Sequence, residues 1–289
     1  MRTKLSFKTM GEINSIIHSF NIKGDIISIN KLNHGLINKT YLITTKKEKY
    51  ILQMINTNIF GDVQGIMKNI ETVNNHLKYK QYRFETLEII YTKSKSNLLF
   101  DIDNNPWRCY KYIEHKRYIY KQLKNNLMLE YGKSIGHFHT CLSDLDNKKI
   151  INVLPHFHNT ARHFNIFENL ILNDIGKRRN EVLEYYRSIR IHANKFDTIK
   201  TLIKTKRLPK RICHNDTKVD NILFHTRNYG VKSIIDLDTM MSNSIIYDFG
   251  DAIRVSCDTS AENETNISNI NFNLSFFQSF VEGYLKESK

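Results

Sequence analysis

Cysteine, proline and glycine are all scarce in this chain of 289 residues, which has 4 Cys, 3 Pro and 11 Gly. The cysteines are widely separated and form no Cys-x-x-Cys pair, which argues against both a metal cluster and a disulfide framework. So few prolines argue against long disordered linkers. We therefore expect a globular protein with reduced, buried thiols at Cys109, Cys141, Cys213 and Cys257.

Long apolar runs are also missing. None approaches the ~20 residues that span a bilayer, and the first residues lead into no signal-peptide core. The hydrophobic content of 40% and the charged content of 25% are typical of soluble globular proteins, and the length suits one large or two moderate domains. The sequence predicts a cytoplasmic protein with no membrane partner.

Acidic residues are too few to balance the basic ones. The chain has 43 Lys and Arg against 29 Asp and Glu, a formal net charge of +14, with basic clusters at 177–179 and 204–211. Such an excess is found in polyanion-binding proteins, but no nucleic-acid motif accompanies it. The lysine, asparagine and isoleucine bias of the whole chain indicates a genome of biased base composition. We expect no nucleic-acid partner, and attraction of phosphate to a functional site remains the alternative.

The most informative polar residues lie between His214 and Asp238. Asp216 is followed by Lys218 two residues later, by Asn221 five residues later and by Asp236 twenty residues later, at the end of an apolar strand. Protein kinases use the same order and spacing for a hydroxyl-orienting Asp and for two magnesium ligands. Single Asp and Asn residues are common in turns, but the complete set on a strand-flanked loop predicts phosphoryl transfer from ATP.

Each residue type suits this chemistry. Magnesium prefers oxygen ligands, which Asn221 and Asp236 supply, with ATP phosphates and water completing the shell. Asp216 is the predicted base that orients the acceptor hydroxyl and takes its proton. Lys218 is predicted to add positive charge beside the transferring group. Asp238 has three interpretations: an acid that supports the site, a metal contact, or the solvent-facing alternate residue of a strand.

Three segments, at 214–224, 234–241 and 247–254, read HNDTKVDNILF, IIDLDTMM and YDFGDAIR. Two more segments lie at 35–41 and 50–56, the latter followed by Phe60. Together the five segments resemble the N-acetylhexosamine 1-kinases of the aminoglycoside phosphotransferase and choline kinase superfamily, and the last two resemble that family's nucleotide loop and next strand. The resemblance implies an α+β, bilobal, protein-kinase-like fold. It further implies an antiparallel β nucleotide-binding lobe at 1–113 and a mainly helical catalytic and substrate lobe at 114–289.

The resemblance also implies the ligands. ATP and Mg²⁺ are the expected cofactors, and a small-molecule sugar is the expected partner, phosphorylated at the anomeric hydroxyl of N-acetylglucosamine or N-acetylgalactosamine. Nothing in spacing or composition identifies a sugar. Arg254 is expected to support the site from the last of the matching segments. The resemblance further implies nucleotide contacts at Gly35, Asn38, Thr40, Gln53, and the hinge residues Tyr112 and Glu114.

Several positions depart from the family pattern. The nucleotide loop has the single glycine Gly35, and Gln53 stands where protein kinases carry a lysine, so it cannot neutralise phosphate charge. Glu71 on the following helix lacks that lysine as a partner, and we expect a solvated helix face there. Relatives generally continue beyond Lys289 with helices that help build the sugar pocket. We therefore expect weak affinity for the sugar or low turnover. We also expect the aromatic residues of the helix at 272–284 to lose neighbours and to expose apolar surface.

Two alternatives stay open. One is a choline, amino-alcohol or aminoglycoside kinase, whose cationic substrate would favour acidic residues such as Asp258, Glu262 and Glu264. The other is a catalytically weak, kinase-derived nucleotide-binding protein.

Periodicity predicts the secondary structure that frames these residues. β-Branched and aromatic runs predict an antiparallel sheet interrupted by one helix, and apolar stripes predict helices afterwards. His137 and His139, near the end of the first of these, are interpreted as hydrogen-bonded structural residues. The predicted strands are 26–32, 40–45, 50–55, 86–91, 98–101 and 107–113, and the helical stripes lie at 66–77, 127–142, 182–196, 247–254 and 270–285.

Overall fold

The structure, a computed structural model, describes residues 10–32, 37–118, 122–258, 260 and 264–288. It combines an antiparallel sheet in the N-terminal part with a mainly helical C-terminal part, so the predicted α+β fold class is confirmed. The boundary at residue 113 stays a prediction. Among the described residues, no helix is both long and apolar enough to cross a membrane.

The N-terminal sheet has the strand order β1-β2-β3-β6-β4, with β5 pairing to β6, and its pairs are antiparallel. One face packs on the first helix through Ile17, Ile43, Leu52 and Trp107. The elements are α1 (Met10–His18), β1 (Ile26–Leu32), β2 (Lys39–Thr45), β3 (Lys49–Met54), α2 (Val63–Tyr79), β4 (Ile89–Ile90), β5 (Leu99–Phe100) and β6 (Pro106–Lys111).

The C-terminal part is built from six helices, within the described ranges, and two short antiparallel strand pairs, β7 with β10 and β8 with β9. These pairs position the loops that carry the motif residues. The elements are α3 (Asn125–Leu142), α4 (Thr160–Leu172), α5 (Arg179–Arg190), α6 (Thr198–Lys204), β7 (Arg211–Cys213), β8 (Ile222–Phe224), β9 (Val231–Ile234), β10 (Met241–Asn243), α7 (Ile245–Ser256) and α8 (Leu274–Glu287).

One apolar core joins the two parts. Ile66 and Ile70 of α2 belong to the same buried cluster as Tyr131 and Ile135 of α3 and as Phe280 of α8. Burial of apolar side chains is the main favourable contribution to folding. Helix α2 of the N-terminal part therefore shares its buried core with the helical part.

Helices α3 and α8 approach so closely that glycine is needed at the contact. A Cβ atom at Gly132 would lie 2.1 Å from the carbonyl oxygen of Phe280, and one at Gly283 would lie 2.0 Å from that of Leu129. The same contact buries Phe280 and Tyr284. The expectation that the aromatic residues of this helix lose their neighbours is wrong for these two.

Several element boundaries differ from the sequence-based ones, and three of these differences are informative. The strand predicted at 86–91 is reduced to Ile89–Ile90. The last helix begins at Leu274 and not at 270, because Asn273 caps it by accepting a hydrogen bond from the backbone N–H of Phe276. The stripe at 182–196 is divided, since α5 ends at Arg190. Period alone does not detect such helix ends.

Candidate active site

The loop between β7 and β8 holds Asp216 beside Lys218 and Asn221. The amide nitrogen of Asn221 donates to the backbone oxygen of Asp216 at 2.8 Å and to its Oδ2 at 2.9 Å. Lys218 Nζ lies 3.0 Å from the same Oδ2. The Asp216 side chain remains 26% exposed, so it can meet a ligand. The structure thus brings together three of the residues that the spacing selected.

Asp248 of α7 fixes the start of this loop. Its carboxylate accepts hydrogen bonds from the backbone N–H groups of His214 and Asn215, at 2.8 and 2.6 Å, and from His139 Nε2 at 2.8 Å. Burial alone would raise the pKa of Asp248, but the bond from His139 and the nearby imidazoles hold it below its ordinary value. Asn215 adopts φ 65°, a left-handed conformation that Asn tolerates. The structural interpretation of His139 agrees with these bonds.

Asp236 is connected to the same loop through its neighbour Ile235. The backbone N–H of Ile235 donates to the backbone oxygen of Asn221 at 2.9 Å. The backbone oxygen of Ile235 lies 2.8 Å from His214 Nε2. Asp236 itself has φ 63° and a solvent-accessible side chain. Desolvation by the surrounding protein, and then repulsion from the nearby Asp238 carboxylate, raise the pKa of Asp236 to about 6.

The donor set of Asn221 and Asp236 fits a hard divalent cation. The nitrogen of the Asn221 amide is used by Asp216, so its oxygen remains as the metal-binding atom, and Asp236 adds a carboxylate. Within the described ranges, no group of three or more His, Cys, Asp or Glu residues could hold a metal ion alone. A magnesium ion here would need oxygen ligands from a nucleotide and water, as is usual for this ion.

Asp238 is buried and not solvent-facing, so that interpretation is wrong. Its Oδ1 lies 2.6 Å from Arg108 Nη1 and its Oδ2 lies 2.8 Å from Nη2. Asn38 Nδ2 also donates to Oδ2, at 2.9 Å. Both oxygens of Asp238 are thus engaged by other side chains of the protein, and its role in supporting the site stays a prediction.

The predicted nucleotide residues of β2 and β3 join this same network. Gln53 Nε2 donates to Thr40 Oγ1 at 3.1 Å, and Gln53 Oε1 accepts from Arg108 Nε at 3.0 Å. Asn38 Oδ1 accepts from the backbone N–H of Asn56 at 3.0 Å. Gly35 lies outside the described residues. Nucleotide contact by Asn38, Thr40 and Gln53 stays a prediction.

Arg108 is the residue that sequence reasoning missed. It lies between Trp107 and Cys109, two fully buried residues of β6. A charged residue in an otherwise buried strand requires a partner. That requirement was the available signal, but the sequence does not say that the partner is Asp238.

The predicted hinge is anchored on both sides. The backbone N–H of Tyr112 donates to the oxygen of Lys49 at 2.9 Å, and the Glu114 carboxylate lies 3.3 Å from Lys49 Nζ. Lys232 Nζ donates to the backbone oxygen of Glu114 at 2.8 Å. Contacts of Tyr112 and Glu114 with adenine stay predictions.

Asp251 of α7, beside the predicted Arg254, is a second polar residue that sequence reasoning missed. Arg254 Nη2 donates to Asp251 Oδ1 at 3.0 Å, whereas Asp251 Oδ2 is buried without a hydrogen-bond partner. Burial, then repulsion from Asp216 and Asp248, raises the pKa of Asp251. Arg254 thus binds its neighbour Asp251, and its predicted supporting role stays a prediction.

Two of the acidic residues named for a cationic substrate, Asp258 and Glu264, make hydrogen bonds to residues close to them in the sequence. Asp258 Oδ1 accepts from the backbone N–H and hydroxyl of Ser260, and Glu264 binds Asn266 and Asn269. Glu262 lies outside the described residues. Asp258 and Glu264 thus make local hydrogen bonds that order their own loop.

Comparison with known proteins identifies a family and several similar structures. The pattern of the phosphotransferase enzyme family (APH) matches residues 28–267. A structure of the amicoumacin kinase hAmiN in complex with AMP-PNP, Ca²⁺ and Ami is similar with a TM-score of 0.64 and 12% identity, over 98% of this chain and 79% of that one. The ADP-bound aminoglycoside phosphotransferase APH(2'')-Ib is similar with a TM-score of 0.59 and 16% identity, over 96% and 82%.

A third similar structure is a spectinomycin phosphotransferase, APH(9)-Ia, in complex with ADP and spectinomycin. Its TM-score is 0.60 at 14% identity, over 95% of this chain and 79% of that one. The TM-scores show that this chain shares the fold of these proteins, and at identities this low they show nothing beyond the fold.

Proposed function

Because the chain belongs to the phosphotransferase enzyme family, we propose that it transfers the γ-phosphoryl group of ATP to a hydroxyl of a small molecule. The observation that carries this proposal is the single hydrogen-bonded unit formed by Asp216, Asn221 and the segment of Asp236. Phosphoryl transfer relies on positioning and charge stabilisation more than on covalent chemistry of the protein. A preorganised unit of this kind meets that need.

Asp216 is the proposed base. Its Oδ2 is engaged by Asn221 and Lys218, so Oδ1 is the oxygen that would meet the acceptor hydroxyl and take its proton. Lys218 would place positive charge beside the transferring group. Asn221 and Asp236 would hold Mg²⁺, which neutralises phosphate charge when bound.

For the acceptor, we propose the anomeric hydroxyl of an N-acetylhexosamine, giving a sugar 1-phosphate. Support comes from the resemblance of 214–224, 234–241 and 247–254 to the sugar 1-kinases. An anomeric hydroxyl is more acidic than an ordinary alcohol, so a carboxylate base suffices.

An aminoglycoside-type kinase is the second candidate. The similar solved structures include aminoglycoside and spectinomycin phosphotransferases. Asp251 offers a specific observation, since its Oδ2 has no hydrogen-bond partner and Asp216 is close enough to raise its pKa. Two neighbouring carboxylates attract cationic amino groups.

An acceptor screen separates these candidates. ATP consumption is measured with N-acetylhexosamines, hexoses, choline, amino sugars and aminoglycosides, with Asp216→Asn as the inactive control. We expect turnover with an N-acetylhexosamine, loss of reducing sugar in step with ATP, and an acid-labile phosphate. Recovery of a sugar 6-phosphate would support the kinase activity but would exclude the anomeric hydroxyl as the acceptor. Turnover with aminoglycosides alone would favour the second candidate, and Mg·ATP binding without turnover would indicate a nucleotide-binding protein.

A further inference from the structure

A buried ion pair joins the N-terminal sheet to the segment that carries Asp236. Arg108 of β6 and Asp238 are separated by 130 residues in the chain, and each side chain is only 2% exposed. Charges removed from water so completely are costly unless their geometry is good and their other hydrogen bonds are made. The two-oxygen contact between the guanidinium and the carboxylate meets the first condition.

Neighbouring strands meet the second condition. Gln53 lies opposite Arg108 in the register of β3 and β6, and Thr40 lies opposite Gln53 in the register of β2 and β3. Gln53 therefore accepts from Arg108 Nε while donating to Thr40. Asn38, just before β2, binds Asp238 directly. The orientation of Arg108 is thus determined by side chains from adjacent strands.

The far end of the network determines the position of Asp236. Ile235, before it, is bound to Asn221 and His214 of the catalytic loop. Thr239, after it, donates from Oγ1 to the oxygen of His214 at 2.7 Å. Asp238 adds the contact with the N-terminal sheet. Asp236 is therefore held between the loop of the proposed base and the strands of the proposed nucleotide site.

We infer that Arg108 is a positioning residue for phosphoryl transfer, which holds Asp236 in register with the N-terminal sheet through Asp238. This inference rests on the proposed function. Gln53 acts by orienting Arg108 and replaces the lysine of protein kinases in position but not in role. Lysine could not substitute for Arg108, because a single ammonium cannot reproduce the planar fork that binds two carboxylate oxygens and Gln53.

Apolar replacement of the pair distinguishes positioning from stability. Arg108→Met and Asp238→Leu each leave one buried charge unpaired, so both lower the melting temperature. The double variant removes both charges and should regain most of the lost melting temperature. We nevertheless expect its affinity for a fluorescent ATP analogue with Mg²⁺ to stay lower than that of the wild type, on the order of 10- to 100-fold. Arg108→Lys should also stay impaired.

The matched control is Arg83→Met. Arg83 also forms an ion pair with a residue distant in sequence, 2.8 Å from Glu287 of α8, but away from the catalytic loop. Its Mg·ATP affinity should equal that of the wild type.

The affinity for the ATP analogue is measured with and without Mg²⁺ for each variant, at a temperature at which circular dichroism shows the variant folded. The ratio of the two affinities isolates the metal-dependent part of nucleotide binding. We expect that ratio to fall about tenfold in the double variant. An unchanged ratio would overturn the inference, because the pair would then be structural only. Wild-type protein that binds no Mg·ATP would instead overturn the proposed function, and the inference with it.

Discussion

At the scale of single residues, the proposed base and the proposed metal ligands have separable duties. In the proposed mechanism Asp216 would meet the acceptor hydroxyl, whereas Asn221 and Asp236 would hold the metal. Asp216→Asn should lower turnover by about 10²- to 10⁴-fold, the usual contribution of a general base. An Asn oxygen can still accept the bond from Asn221 Nδ2, so the loop and the affinity for Mg·ATP should persist. Steady-state turnover and nucleotide titration test both; near-normal turnover would exclude Asp216 as the base.

The raised pKa of Asp236 gives a second residue-scale prediction. A metal ligand must be deprotonated, and the pKa of this carboxyl is about 6. The proposed metal site should therefore be competent above pH 6 and should be progressively lost as pH falls through that value. At pH 5 the Mg²⁺-dependent nucleotide affinity should be about tenfold weaker than at pH 7.5. Asp236→Asn, whose amide does not titrate, is the control for protonation of ATP itself. An identical pH dependence in both proteins would contradict the assignment.

Sequence and structure agree best where function depends on local spacing. Asp216, Lys218 and Asn221 lie within one short loop, so their proximity follows from their offsets. Arg108 and Asp238 meet only after β6 and the segment after β9 are brought together by the fold. Pairing across such a distance has no local signal. The same reason explains why Asp238 could be read as solvent-facing.

At the scale of elements, periodicity predicted most strands and helices but not their ends. The sheet core and the stripe of α3 follow from buried alternation and i, i+4 spacing. The start of α8 does not, because the aromatic spacing continues through Phe272 while Asn273 caps the helix. Phe272 instead forms an isolated bridge with Asp258.

The contact between α3 and α8 can be tested by adding one methyl group. In Gly132→Ala the new Cβ would meet the backbone oxygen of Phe280, which cannot move without displacing α8. We expect a loss of about 1–3 kcal/mol in the free energy of unfolding, as for other overpacked sites. Gly250→Ala on α7 is the control, because its Cβ meets nothing within 4 Å; it should be neutral or stabilising. Equal urea midpoints for the two variants would refute the close packing.

At the scale of the whole molecule, the two parts share an apolar core through α2 but meet near the proposed site through polar contacts. Arg108 with Asp238, and Asn38 with Asp238, connect strands of the N-terminal sheet to the segment after β9. The net charge of +14 is consistent with attraction of phosphate to such a site. The resemblance predicted two lobes, whereas the contacts that join them required the fold.

Binding of Mg·ATP should consequently stabilise the entire chain. Its proposed contacts come from both parts, so the ligand binds only the folded protein, and at 100 times its Kd it adds about 2.7 kcal/mol. For a chain of this length we expect Tm to rise by several degrees, roughly 2–4 °C per kcal/mol at most. Thermal denaturation with ATP and Mg²⁺ measures the shift. Excess chelator, and separately Asp236→Ala, should remove most of it. Manganese should substitute for magnesium and zinc should do so poorly, because the ligand set is all oxygen. A full shift in chelator would show that nucleotide binding does not depend on the Asn221 and Asp236 pair.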